Sequence, residues 1–97
     1  MADDTYDAKQ PESVAAVLKV FALLQALSEN NETGISDLSV RLAMPKATVY
    51  RFLQTMMTLG YVRQEADSER YGLTMKVFEL GTKALQYLDL VEMAKRP

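Results

Sequence analysis

At 97 residues, with 48% hydrophobic residues and a net charge of −2, the chain fits a single small domain with one core. It contains no cysteine and no histidine, which excludes disulfides, the common zinc sites and the Ser-His and Cys-His nucleophile pairs. We therefore predict that the protein is not an enzyme and that it binds no metal or cofactor.

Residues 1–12 contain four acidic residues and one lysine, and we predict a disordered acidic tail there. This layout is the reverse of a signal peptide, which is basic and then apolar. The longest apolar run, residues 14–27, contains Lys19 and Gln25 and is too short to cross a bilayer. We expect a cytoplasmic protein without a membrane span.

Three helices are predicted in the next part of the chain. Ser13 is a candidate N-cap for the first, because apolar residues then recur at three- and four-residue steps: Val14, Val17, Leu18, Phe21, Leu24 and Leu27. Ser36 is the candidate N-cap of a short second helix that carries Leu38 and Leu42. Pro45 suits the first position of a third helix, and Gly60 suits its end. The third helix has an inward stripe of Val49, Phe52, Leu53 and Met56.

A hairpin and a fourth helix complete the predicted fold. Tyr61–Gln64 and Arg70–Leu73 resemble two short strands around a turn at residues 66–69, and Thr74 can cap the last helix. The order of elements indicates a mainly α fold with a small β-hairpin, the winged helix-turn-helix. We assign residues 13–73 to this domain and residues 74–97 to a linker helix.

The third helix carries the predicted DNA contacts. With its apolar stripe inward, the outer face holds Ala47, Tyr50, Arg51, Gln54 and Thr58. Arg51 can bind guanine, Gln54 can pair with adenine, and Ala47 permits close approach to a thymine methyl. Lys46, Thr48 and Tyr50 suit phosphate oxygens. A polar helix face that is merely solvated is the alternative interpretation of these residues.

The distribution of charge favours DNA binding more than its sum does. Between Asp37 and Glu65 the only charged residues are cations, namely Arg41, Lys46, Arg51 and Arg63. In the hairpin, Arg63 and Arg70 could lie along the DNA backbone, although the tip itself is acidic, and Arg70 is the stronger candidate. The net acidity instead supports the rival hypothesis, a winged helix that serves as a protein-protein interaction module.

The last helix has an apolar seam that could pack on the first helix or on a second copy of the chain. A second copy would give the twofold symmetry with which helix-turn-helix proteins bind paired half-sites. We predict a homodimer in which the seam residues take part: Val77, Leu80, Ala84, Leu88 and Val91.

The residues in these positions resemble the N-terminal domain of the IclR-type family of bacterial transcriptional regulators. The resemblance rests mainly on the strings Lys46 to Leu53, Leu59 to Val62 and Phe78 to Gly81, with a departure at Ala47, where the family often has a serine. Within the family, residues 13–21 and 48–61 are most similar to a repressor of sugar-acid catabolism genes. The resemblance implies operator DNA as a partner, and a small organic acid effector bound by a C-terminal domain that is not in this chain.

Overall fold

The computed structural model describes the backbone of residues 12–95 and the side chains of residues 15–88. The elements follow the predicted order: α1 (Glu12–Glu29), α2 (Ile35–Leu42), α3 (Lys46–Leu59), β1 (Val62–Gln64), β2 (Tyr71–Leu73) and α4 (Met75–Lys95). The tail was predicted for residues 1–12, of which residues 1–11 lie outside the described part and Glu12 begins α1. Ser13, the expected N-cap, lies inside α1.

The core lies where α1, α2, α3 and the hairpin meet. Its fully buried side chains come from three helices: Leu23, Leu27, Leu38, Val49 and Leu53. Ala26, Met44, Met56, Val62 and Tyr71 complete it. The inward stripe predicted for α3 is confirmed, with Phe52 only partly buried at its edge.

The face that α1 buries differs from the predicted one. Val17, Leu18 and Phe21 are 54%, 63% and 58% exposed, whereas Leu23 and Leu27 are buried. The inward stripe is Val20, Leu23, Leu24 and Leu27, which also recurs at three- and four-residue steps. The helix is apolar on more than one face, and contact with α2, α3 and β2 selects the stripe that is buried.

The helix-turn-helix connection is tight because α2 ends in a left-handed residue. Ala43 has φ 55° and ψ 45°, and it reverses the chain between α2 and α3. Ser39 supports the turn, since its hydroxyl donates to the Met44 carbonyl at 2.5 Å and its own carbonyl accepts from the Met44 N–H at 3.1 Å. Pro45 is the N-cap of α3, so the helix begins at Lys46, one residue later than predicted.

Two other helix ends bear on the sequence predictions. The N-cap of α2 is Gly34 and not Ser36, which lies within the first turn of the helix. Gly60 ends α3 as predicted, with φ 94°, a left-handed conformation that glycine adopts without a steric penalty.

The hairpin is joined to the loop after α1 by the main chain. β1 and β2 are antiparallel, with Arg63 opposite Gly72, and each is one residue shorter than predicted. Thr33 pairs with Tyr71 on the other edge of β2, through N–H···O bonds of 2.9 and 2.8 Å. This pairing fixes the wing against the body of the domain.

The last helix begins as predicted. Thr74 caps α4, because its hydroxyl accepts a hydrogen bond from the Lys76 N–H at 3.2 Å. None of the helices in the described part of the chain, α4 included, has the length and apolar character needed to cross a membrane.

Candidate nucleic-acid interface

Helix α3 presents most of its predicted contact residues to solvent. Lys46, Ala47, Tyr50 and Arg51 are exposed, and Thr48 and Gln54 are partly buried. Their outward orientation follows from the opposite face of the helix, where Val49 and Leu53 are completely buried. The six side chains therefore belong to one surface that a rigid core holds in place.

The first turn of α3 leaves backbone N–H groups available. Pro45 provides no side-chain cap, and the Val49 N–H is bonded to the Pro45 carbonyl at 3.0 Å. The N–H groups before Val49 have no partner in their own helix. Together with the positive end of the helix dipole, they favour an anion at this end of α3.

Most polar side chains farther along α3 bond within the helix. The Thr55 and Thr58 hydroxyls donate to the Arg51 and Gln54 carbonyls at 3.2 and 3.0 Å. The Gln54 amide lies 4.0 Å from the Met57 sulfur, a weak acceptor. Gln54 can therefore exchange this contact for a base edge with little loss of free energy.

The four cations of the acid-free stretch fall into two classes. Arg41 pairs with Glu29 at 2.6 Å and with Asp37 at 3.8 Å, and Arg63 pairs with Glu32 at 3.1 Å. Lys46 and Arg51 form no ion pair within the described residues. Glu29 and Glu32 lie 12 and 31 residues from their partners, so these two pairs leave no local signal in the sequence, whereas Asp37 and Arg41 have the i,i+4 spacing that could have indicated a pair. The unpaired positive charge of this stretch is thus concentrated on α3.

The wing contributes one open cation. Arg70 is exposed and has no ion pair in the described part of the chain, unlike Arg63. It immediately precedes β2, and its carbonyl accepts from the Glu65 N–H at 2.7 Å, so the base of the turn holds its backbone. Next to it, burial raises the pKa of the Tyr71 phenol, and the neighbouring Tyr50 and Glu69 raise it further. Tyr71 therefore stays neutral beside the helix that carries the cations.

A second surface, which we call the apolar face, is formed by α1 and α4. Of the predicted dimerisation residues, Val77 is half-buried, Leu80, Ala84 and Leu88 are exposed, and the Val91 side chain lies outside the described residues. The structure adds apolar side chains that the prediction did not include: Val17, Leu18, Phe21, Met75, Phe78, Leu85 and Tyr87. A groove of about 300 Å³ runs between the two helices along α3, with Phe21, Leu59 and Leu80 among its lining residues.

The fold, the exposed cationic helix and the hairpin beside it define a winged helix-turn-helix, the DNA-binding domain of a transcriptional regulator. The model of the IclR helix-turn-helix domain matches residues 16–66. The chain belongs to the IclR family.

Among the proteins to which the chain is similar are HTH-type transcriptional regulators. The chain is 64% identical over 86 residues to the HTH-type transcriptional regulator KdgR of Escherichia coli, and equally to KdgR of Dickeya chrysanthemi. Each match covers 89% of this chain but only 33% and 28% of the relative. The crystal structure of Pseudomonas aeruginosa HmgR superposes with a TM-score of 0.71 at 28% identity, over 80% of this chain and 34% of that one. The chain therefore spans about a third of the length of these relatives.

Proposed function

We propose that the chain binds a specific operator in double-stranded DNA and that α3 reads it from the major groove. The observation that carries this proposal is the division of the cations. Lys46 and Arg51 on α3 are exposed without an acidic partner among the described residues, whereas Arg41 and Arg63 are paired. An exposed helix with unpaired cations on a rigid core matches the negative charge and the width of the major groove.

The residues of α3 take different parts in this binding. Arg51 donates to guanine, Gln54 pairs with adenine, and Ala47 lies close to a base edge, since its methyl group leaves room for a thymine methyl. Lys46, Thr48 and Tyr50 bind phosphate near the open first turn of the helix. Arg70 binds phosphate from the wing.

The chain acts as a homodimer through its apolar face. Of the twelve large apolar side chains exposed in the described part of the chain, nine lie in α1 or α4. Large exposed apolar side chains grouped on two helices indicate an interaction site. A second copy fits it because a twofold arrangement places two recognition helices on half-sites one helical turn, roughly 34–36 Å, apart.

The regulator is a cytoplasmic repressor of sugar-acid catabolism genes. The support is the resemblance of residues 13–21 and 48–61 to a repressor of pectin and ketodeoxygluconate catabolism, together with the identity to KdgR. Its relatives are about three times as long, which leaves room for a further domain that binds a small organic acid and alters operator affinity.

Selection from a random duplex library tests the proposal. The chain is incubated with the library over a salt series, the bound fraction is sequenced, and affinities are measured by fluorescence anisotropy. We expect an enriched inverted repeat and an affinity that falls steeply as salt rises. As a control for the loss of a positive charge, Lys83→Ala removes an exposed lysine of α4. We expect this variant to keep the wild-type affinity for DNA. No enrichment, with no binding at low salt, would contradict DNA recognition and favour a protein-interaction module.

A further inference from the structure

Lys76, in the first turn of α4, binds the end of the recognition helix. Its Nζ donates to the carbonyl of Leu59, the last residue of α3, at 2.8 Å. The same ammonium lies 4.9 Å from the centroid of the Tyr61 ring, within the range of a cation-π interaction. Its side-chain methylenes lie against Gly60, where a Cβ would be 3.3 Å from the Lys76 Cδ.

The position of this cation is explained by α3 and not by its own helix. A lysine in the first turn of α4 opposes the positive end of that helix dipole. At the C-terminus of α3 the dipole is negative, and α3 has no basic residue of its own in its last turn. Lys76 therefore supplies the charge and one of the donors that the end of the recognition helix lacks.

Thr74 also joins α4 to the end of α3, through bonds to main-chain carbonyls. Its hydroxyl donates to the Gly60 carbonyl at 2.6 Å, and its N–H donates to the Tyr61 carbonyl at 3.1 Å. Thr74 and Lys76 thus tie the start of α4 to the end of α3. Beyond them α4 has little support, because every side chain from Phe78 to Leu88 is exposed except Thr82, whose hydroxyl bonds to its own helix at 2.8 Å.

We propose that Lys76 is a positioning residue that fixes the angle between α3 and α4, and with it the operator half-site spacing that the dimer accepts. The inference rests on the proposed function, in which α4 belongs to the dimer interface. Leu88 lies about 18 Å along the helix from Lys76, at roughly 1.5 Å per residue. A tilt of about 10° at the junction moves that end by about 3 Å, close to the roughly 3.4 Å rise of one base pair.

The first test compares operators whose half-site spacing is changed by one base pair in either direction. We expect the wild-type chain to lose at least about tenfold in affinity on either change, and Lys76→Met to lose less than about threefold. Binding of Lys76→Met to a single half-site stays within about twofold of wild type, because Lys76 does not touch DNA. Lys76→Arg keeps a donor and a cation over Tyr61 and restores the spacing preference.

The exposed Lys83 provides the matched control on the same helix. Lys83→Met should keep the wild-type spacing preference. If Lys76→Met also keeps it, or if Lys83→Met loses it to the same extent, Lys76 does not set the spacing.

The second test measures the angle between α3 and α4 in the absence of DNA. The chain has no cysteine, so one spin label can be attached to each helix through Thr55→Cys in α3 and Gln86→Cys in α4. We expect one narrow distance distribution in the wild-type background, a broader one with Lys76→Met, and recovery with Lys76→Arg. An unchanged distribution in Lys76→Met overturns the inference. Should the wild-type chain bind no DNA, the proposed function fails, while this measurement still decides whether Lys76 holds α4.

Discussion

Arg63 and Glu32 form an ion pair of 3.1 Å that joins β1 of the wing to the loop after α1. The guanidinium also covers Gly72, its partner across the hairpin, where a Cβ would lie 2.8 Å from Nη2. The two arginines of the wing consequently differ in role. Arg63 stabilises the hairpin against the body of the domain, and Arg70 is left open to a phosphate.

Replacing the two arginines separately should divide stability from DNA binding. We expect Arg70→Met to lower the salt dependence of operator affinity by about one unit of slope and to change the free energy of unfolding by less than about 0.5 kcal/mol. Arg63→Met should leave the slope unchanged and lower the stability by about 1 kcal/mol, the upper end for a partly exposed pair. Anisotropy titrations over a salt series and urea unfolding measure both quantities. A reduced slope in Arg63→Met would mean that Arg63, and not Arg70, contacts the phosphate.

A side chain at position 72 should destabilise the wing. In Gly72→Ala the new Cβ meets the Asn31 carbonyl at 2.9 Å as well as the Arg63 guanidinium, and the backbone oxygen cannot move aside cheaply. We expect a loss of about 1–3 kcal/mol in the free energy of unfolding, typical of overpacking. The control is Gly81→Ala in α4, where nothing lies within 4 Å of the new Cβ. That change should stabilise the helix by about 0.5–1 kcal/mol, and equal effects at the two positions would contradict the close approach.

Glycine at position 43 should stabilise the helix-turn-helix. Ala43 ends α2 at φ 55°, a conformation that costs an L-residue roughly 1–2 kcal/mol. Ala43→Gly removes this penalty but increases the entropy of the unfolded chain, so the expected net gain is about 0.5–1 kcal/mol in urea unfolding. In the exposed interior of α1, Ala16→Gly should instead cost about 1 kcal/mol. A destabilised Ala43→Gly would mean that the turn is not left-handed at this residue.

Arg51 and Lys46 should separate base reading from phosphate binding. We expect Arg51→Ala to lose about 1–3 kcal/mol on the selected operator and to relax one base position, with a small effect on random duplex. Lys46→Ala should weaken both duplexes alike and reduce the salt slope by about one. Repeating the library selection with each variant tests this division. An operator motif that is unchanged in Arg51→Ala would remove Arg51 from the reading role.

Local signals in the sequence predicted the helices and strands. Contacts between residues far apart in the chain determined the buried face of α1 and the long-range ion pairs, which local signals could not predict. Gly60 ends α3 and Thr74 caps α4 as predicted, whereas Ser13 and Ser36, predicted as caps from the same kind of local signal, lie inside α1 and α2. The prediction of which face α1 buries was wrong, because residues 14–27 are apolar on several faces and periodicity cannot select among them. The ion pair of Arg63 was missed because Glu32 is 31 residues away.

A buried hydroxyl at position 33 should be dispensable for stability. Thr33 is 3% exposed, and its Oγ1 has no hydrogen-bond partner among the described residues, although its main chain forms both bonds to Tyr71. An unsatisfied buried hydroxyl costs roughly 1–3 kcal/mol. Thr33→Val keeps the shape and the β-branched backbone preference, so we expect a gain of about 1 kcal/mol in the free energy of unfolding. Thr33→Ser keeps the hydroxyl and loses the methyl group, and should lose about 1 kcal/mol. Urea unfolding of both variants measures the difference. A less stable Thr33→Val would show that the hydroxyl has a partner, such as a bound water, that holds the wing to the loop after α1.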